Sequence, residues 1–338
     1  MRQIVIPKYG GVNVFRIEEK PDPQPGKDEV LIRVKASGIN FADILARRGL
    51  YPDAPKRPMV VGYEVSGVVE SVGEDTDENL KGKEVLATTR FHGYSDAVVV
   101  RAAQIFDKPK SLSFEQAAAI PVNYLTAYQL LITMGALKKE ESVLIHNAGG
   151  GVGLAALDIA KKIGATTYGT ASSGKHDFLK QRGLDYAIDY RTENWLQKLK
   201  VLTDGKGVEL VLDPLGGTSW KKSYQALRAT GRLGMFGIST ATESGLGAKL
   251  SLLKVALQMP WFNPVGLMNT NKSVFGVNLG HMWGEAEKAG RWMQEILDGV
   301  EEGWVQPHVD KTFFFEKVGE AHAYIEARKN IGKVILVP

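Results

Sequence analysis

No cysteine occurs among the 338 residues. Disulfides, thiolate nucleophiles and Cys-ligated zinc are therefore excluded together. Histidine is sparse: six residues, none forming the His-x-x-x-His pair that would turn two imidazoles to one side of a helix. No apolar run is long enough to cross a bilayer. No cationic leader with an apolar core precedes the strand-like run that starts at Arg2, so a cytoplasmic location is expected. The net charge of +4 is small and the basic residues are dispersed, which leaves no stripe for nucleic acid. What remains, 44% hydrophobic and 24% charged residues, is the composition of an ordinary globular chain, and the length suits two domains better than one core.

The sequence is organised around Val143–Gly153. The apolar run Val143-Leu-Ile145 stops at a glycine cluster, which opens into Leu154-Ala-Ala-Leu-Asp-Ile-Ala160 with apolar residues at helical spacing. That order is a buried strand, a tight turn and a helix N-terminus. The pattern reads Ala148-x-Gly150-x-x-Gly153, with Gly151 and Val152 inside it and alanine in place of the usual first glycine. Gly150 admits a pyrophosphate close to the backbone, Gly153 lets helix pack on strand, and the free N–H groups hold the anion. A plain helix-capping loop is the competing reading.

Residues 1 to about 120 read as a β-rich domain. Val30, Ile32, Val34 and Ala36 alternate with Leu31, Arg33 and Lys35. A short helix is predicted over Phe41–Arg48 with Asn40 near its cap, and Met59–Val72 reads as a glycine-punctuated strand pair. After about Asn123 strands and helices take turns. Strands are predicted at Val143–Ile145, Thr166–Thr170, Tyr186–Ile188, Val208–Leu212, Arg232–Phe236 and Val274–Val277, with helices near Leu154–Ile163, His176–Gln181, Asn194–Leu202 and Trp220–Leu227. Alternation of this kind predicts a doubly wound parallel α/β sheet of the size that binds dinucleotides.

Several stretches together resemble one family: Gly38-Ile-Asn40-Phe-Ala-Asp43, Gly49-Leu-Tyr51, Val122-Asn-Tyr-Leu-Thr126, Ala148–Gly153, Gly169-Thr-Ala-Ser-Ser-Gly-Lys175, Asp213-Pro-Leu-Gly-Gly217 and Gly332-Lys-Val-Ile-Leu-Val-Pro338. The chain resembles the zinc-independent medium-chain dehydrogenase/reductases of the quinone reductase and zeta-crystallin type, and within them the synaptic vesicle membrane protein VAT homologues. The resemblance implies a GroES-like β-rich catalytic domain from residues 1–122 and 279–338, wrapped around a Rossmann NADP-binding domain at 123–278. It implies an active site in the cleft between them. Asn40 and Tyr51 are placed beside the nicotinamide, Thr126 near its ribose or amide, and Phe236-Gly237 and Phe275-Gly276-Val277 along its flanks. Leu215 belongs to a third segment ending a strand, at the switch point where ligands bind. Both phenylalanines have core packing as their alternative. Lys333 either reaches a phosphate or is solvated at a strand start.

Metal ligands are missing where zinc-dependent relatives carry them. The family's Gly-His-Glu reads Gly62-Tyr63-Glu64, and its two cysteine positions fall near Asn40-Phe41 and Asn123. Glu64 alone cannot satisfy a zinc, which takes about four ligands, and no metal is expected. No tyrosine has lysine four residues on, which removes the other common reductase device. A conjugated acceptor then suits the chain best, because hydride addition spreads charge into an enolate or hydroquinone anion that fixed hydrogen-bond donors stabilise. Tyr51 is the candidate donor, with packing on Pro52 as its alternative. The expected activity is reduction of quinones or α,β-unsaturated carbonyls.

Three further expectations complete the reading. Thr166–Thr170 runs into Ala171-Ser172-Ser173-Gly174-Lys175 with no acid until Asp177, so Ser172, Ser173, Lys175 and Tyr190 suit the 2′-phosphate of NADPH better than a bare 2′-hydroxyl. Ser273–Asn278, an apolar edge strand, predicts an isologous homodimer. Leu246–Phe262 carries few charges, and reads either as a buried helix capping the cleft or as a segment lying on a lipid surface, which would make the protein a membrane-surface binder with a regulatory nucleotide site.

Overall fold

A computed structural model describes residues 1–240 and 255–338. Its largest parallel element is a six-stranded sheet built from β8 (Ser142–His146), β9 (Thr166–Ala171), β10 (Tyr186–Asp189), β11 (Val208–Asp213), β12 (Leu227–Met235) and β13 (Ser273–Gly276). The order is β10-β9-β8-β11-β12-β13, every neighbouring pair parallel. Counted from its first strand that is 3-2-1-4-5-6, the doubly wound arrangement. The strands are near-continuous apolar runs because helices cover both faces. Leu144, Val211 and Leu233 are fully buried in one layer, and Val143, Ile145, Leu210 and Leu212 in the other.

Four predicted helices lie between these strands as α4 (Gly151–Ile163), α5 (His176–Gln181), α6 (Trp195–Leu202) and α7 (Thr218–Ala226). Helix α4 ends where Gly164 takes φ +84, its N–H bonded back to the Ala160 and Lys161 carbonyls. Its buried face carries Leu154, Ala155, Leu157 and Ile159, and small alanines there let it sit close to the sheet.

Both ends of the chain build the second sheet. In it β14 (Val309–Phe314), β15 (Lys333–Val337), β3 (Glu29–Gly38), β4 (Glu64–Val72), β5 (Glu84–Thr88) and β7 (Ile105–Asp107) lie in that order, with β6 (Ala97–Arg101) also pairing β3. Strand β15 runs antiparallel to β3 through Ile335–Gly38 and Leu336–Ser37. This places Lys333 beside the end of β3, where α1 (Phe41–Arg48) begins. A small ribbon, β1 (Arg2–Val5) with β2 (Arg16–Glu19), packs nearby.

Two expectations change. Met59–Val72 is one strand, β4, not a pair: Gly62 at φ +103 breaks the extended run, and Met59 bonds to Ile6 instead. Of Leu246–Phe262, residues 246–254 lie outside the described residues. The remainder is not a buried cap, because Leu257 is 79% and Trp261 90% exposed.

Candidate active site

Strand β8 delivers its last residue, His146, into a turn in which Asn147 takes φ +54 and its carbonyl accepts from Gly150 N–H at 2.8 Å. A Cβ on Gly153 would lie 2.5 and 2.6 Å from the carbonyl oxygens of Asn147 and Ala148, so only glycine allows this approach of helix to turn. No side chain caps α4, and its first amides have no intrahelical acceptor. They are a ready anion site reinforced by the helix dipole. Gly150, Gly151, Val152 and Gly153 line a cleft of ≈ 1870 Å³. Ala148 does not; it is fully buried beneath the turn. The turn is latched to the other domain, since Gly332 N–H donates to the Gly149 carbonyl at 2.8 Å.

At one end of the cleft stand Lys175, Tyr190 and Arg328. Burial lowers the Lys175 pKa, and its ammonium donates to the Asn330 carbonyl. Burial pushes the Tyr190 phenol up, but hydrogen bonds with Arg328 and Arg191 outweigh it and leave it lowered. Ser172 and Ser173 form the turn that leads into Lys175, whose N–H donates to the Ser172 carbonyl at 2.9 Å, but neither lines the cleft. The Ser173 N–H donates to Asp189 Oδ2 at 3.2 Å, which ties this turn to the end of β10. Arg328 and Asp189 had no local sequence signal, because each meets its partners only through the fold.

Pro214, Leu215, Phe236, Gly237, Gly276 and Val277 line the next part of the cleft, with Thr126 of α3 (Pro121–Tyr128) opposite. Phe275 is the exception. Its ring packs beneath Gly234, where a Cβ would stand 2.8 Å from it, so Phe275 is a core aromatic and only the residues after it reach the cleft.

The far wall comes from the β-rich domain and is made of side chains. Asn40 precedes α1, and Asp43 Oδ2 accepts its N–H at 2.8 Å. The Asn40 amide is fixed by unambiguous donors: Lys333 Nζ reaches Asn40 Oδ1 at 2.6 Å, and Asn40 Nδ2 donates to Glu64 Oε1 at 2.9 Å. Lys333 also pairs with Glu64 Oε1 at 2.5 Å, both side chains being buried, and Glu64 Oε2 accepts from Val122 N–H at 2.7 Å. Lys333 is thus buried rather than solvated, and its ammonium holds Asn40 and Glu64 together at the cleft. Asp43 has no charged partner in contact, and burial raises its pKa to about 7. Tyr51 lines the cleft, its ring meeting that of Tyr63 edge-on at 6.2 Å. Burial raises the Tyr51 pKa, which keeps the phenol a donor. Tyr63, read in sequence only as a replaced ligand, lines the same wall and touches Phe91 at 5.0 Å between centroids.

These residues do not fit zinc. The one carboxylate at the relevant position already faces a buried ammonium, which would repel a dication, and its neighbours offer a phenol and amides. Among the described residues no group of three or more His, Cys, Asp or Glu could hold a metal.

A parallel sheet with an anion-binding glycine turn, closed against a β-rich domain by a phenol-lined cleft, defines a two-domain oxidoreductase of the dinucleotide-binding kind. Residues 26–110 match the alcohol dehydrogenase GroES-like domain and residues 182–336 the zinc-binding dehydrogenase domain. The synaptic vesicle membrane protein VAT-1 homolog of Danio rerio is 39% identical over 99% of this chain and 69% of its own length. Human quinone oxidoreductase is 30% identical over 100% of this chain and 98% of its own length. The crystal structure of Escherichia coli quinone oxidoreductase complexed with NADPH superposes with TM-score 0.88 at 29% identity, covering 100% of both chains. The chain belongs to the medium-chain dehydrogenase/reductase family of oxidoreductases.

Proposed function

We propose that the protein is an NADPH-dependent reductase of quinones or α,β-unsaturated carbonyls that works without a metal. One observation carries this reading: a single cleft joins an anion-binding turn and the Lys175–Tyr190–Arg328 group to a wall that presents Tyr51 and Tyr63. The glycine cradle fits a pyrophosphate, and two cations beside a phenol suit a 2′-phosphate better than a hydroxyl. NADPH, the ligand in the Escherichia coli quinone oxidoreductase complex, would supply a hydride from this cleft. With one proton from solvent, the acceptor gains two electrons and two hydrogens in total.

The chain's own residues hold the acceptor and its developing charge. Tyr51 donates a hydrogen bond to the acceptor oxygen as that oxygen becomes negative, an interaction worth on the order of 10²–10³ in rate when well placed. Asn40 has both amide functions engaged by Lys333 and Glu64, so it is a rigid wall beside the nicotinamide rather than an oxyanion donor. We divide the chain into a catalytic domain of residues 1–122 and 279–338 around a cofactor domain at 123–278. Strand β13 pairs only with β12 among the described residues, which favours a homodimer joined across this edge. The test is an NADPH-oxidation screen over benzoquinones, naphthoquinones, alkenals and cyclic enones. Turnover of at least one conjugated class is expected, and activity confined to simple aldehydes would overturn the reading.

A second reading rests on a separate surface. Leu257, Trp261, Val265 and Met268 are exposed together on and before the helix Pro264–Thr270, and no described helix is long and apolar enough to cross a membrane. These side chains suit a bilayer interface. Co-sedimentation with anionic liposomes decides it: binding lost in Trp261→Ala supports a lipid-surface role, and no binding by the parent protein removes it.

A further inference from the structure

Tyr63 stands out on the acceptor wall. Its side chain is 8% exposed, its hydroxyl is sealed from solvent, and that hydroxyl finds no hydrogen-bond partner among the described residues. A buried donor left unsatisfied costs about 1–3 kcal/mol, so its retention calls for a reason. The backbone around it is pinned. Gly62 N–H donates to Asp43 Oδ1 at 3.0 Å, Thr89 N–H to the Tyr63 carbonyl at 2.8 Å, and the Thr89 hydroxyl to the Gly62 carbonyl at 2.9 Å. Gly62 itself requires φ +103, and a Cβ there would meet Gly93 backbone at 2.8 Å. The ring has Phe91 on one side and Tyr51 on the other. The Tyr51 hydroxyl stands beside Gly280, 3.2 Å from where a Cβ would be.

We propose that Tyr63 is a positioning residue that acts through Tyr51, donating its otherwise unused hydrogen bond to the Tyr51 oxygen while Tyr51 donates to the acceptor. This rests on the reductase reading above. As hydride adds, the electron pair displaced from the conjugated system collects on the acceptor oxygen and draws on the Tyr51 hydrogen. The Tyr51 oxygen becomes more negative, and the Tyr63 hydroxyl turns to meet it. No proton leaves Tyr63, and the product takes its proton from solvent. Burial first, and then the neighbouring Tyr51 phenol, push the Tyr63 pKa far up, so it remains a donor at every working pH. For Tyr51 burial dominates and raises the pKa, while the neighbouring Tyr63 phenol acts in the opposite direction. Chained donors of this kind strengthen one another in a low-dielectric pocket.

The test is a double-mutant cycle in the full-length protein, read in two ways. The first readout is kcat with a conjugated acceptor; the second is the apparent pKa of 4-nitrophenol bound to the NADP⁺ complex, followed by phenolate absorbance. Tyr63→Phe keeps the ring and its contacts. It is expected to lower kcat about ten-fold, leave the KM for NADPH unchanged, and raise the bound nitrophenol pKa by about one pH unit, the weight of one ordinary hydrogen bond. In a Tyr51→Phe background the same substitution should change neither quantity, because nothing is left to act through. Equal effects in both backgrounds, or none in the parent protein, overturn the relay. If the parent protein turns over no conjugated acceptor, the reductase reading falls, while the nitrophenol cycle still decides the Tyr63–Tyr51 coupling.

Discussion

The two walls of the cleft are made of different material. The cofactor wall is mostly main chain: amides of Gly151–Gly153, a turn closed by Asn147, and short segments ending β11, β12 and β13, with the Lys175, Tyr190 and Arg328 side chains at one end. The acceptor wall is side chain: Asn40, Glu64 and Lys333 in one buried group, and Tyr51 and Tyr63 in another. A main-chain wall recognises what every dinucleotide shares, and it tolerates only residues small enough to keep clear of it. A side-chain wall sets which oxygen is stabilised and by how much, so the chemistry resides there.

The largest effect should come from the buried ion pair. Lys333→Met leaves the Glu64 carboxylate buried with no counter-charge and is expected to cost about 3–5 kcal/mol of stability in urea unfolding. Adding Glu64→Gln should recover most of that loss; a double variant as weak as the single one would show that Lys333 contributes by packing instead. On the opposite wall, Gly153→Val forces a side chain against two carbonyl oxygens. NADPH affinity measured by calorimetry should fall at least about 100-fold, or roughly 2.7 kcal/mol. Smaller is the effect at the Lys175 end. Lys175→Ala should raise the KM for NADPH about ten-fold, one charge-assisted contact, and leave that for NADH nearly unchanged. Equal weakening toward both cofactors would remove Lys175 from recognition of the 2′-phosphate.

The last effect is a slope rather than a step. The folded protein holds a proton on Asp43 up to about pH 7, whereas the unfolded chain releases it near the ordinary carboxylate value. The folded state therefore binds more protons across that interval, and this contribution to stability is full at low pH and fades as pH rises toward 7. Asp43→Asn should flatten stability between about pH 4 and pH 7. An unchanged slope would assign the effect to another group.

The same contrast explains what was legible in the sequence. The cofactor wall is local: Ala148-x-Gly150-x-x-Gly153 sits between a strand and a helix within one short stretch, so pattern and spacing located it. The helices Phe41–Arg48 and His176–Gln181 and the strand Lys333–Val337 were likewise set by nearby caps and periodicity. The acceptor wall is assembled from positions far apart in the chain. Sequence alone leaves Lys333 either reaching a phosphate or solvated at a strand start, because its partners, Asn40 and Glu64, lie in another part of the sequence and meet it only once β15 pairs with β3. Arg328 beside Tyr190, and Asp189 on the Ser173 amide, depend on the fold in the same way. Of its two readings Phe275 takes core packing, since its ring lies beneath Gly234 and the next residue lines the cleft. Tyr63 was visible as a substitution in Gly62-Tyr63-Glu64, but that its hydroxyl lacks a partner is a fact of packing.

The central claim is that fixed hydrogen-bond donors, not a metal, stabilise the charge formed on a conjugated acceptor. It is tested most directly by NADPH oxidation with a matched pair, 2-cyclohexenone and cyclohexanone, before and after exhaustive dialysis against a strong zinc chelator. The account predicts turnover of the enone, little or none of the saturated ketone, and no change on dialysis. Reduction of cyclohexanone that dialysis abolishes and added zinc restores would contradict it.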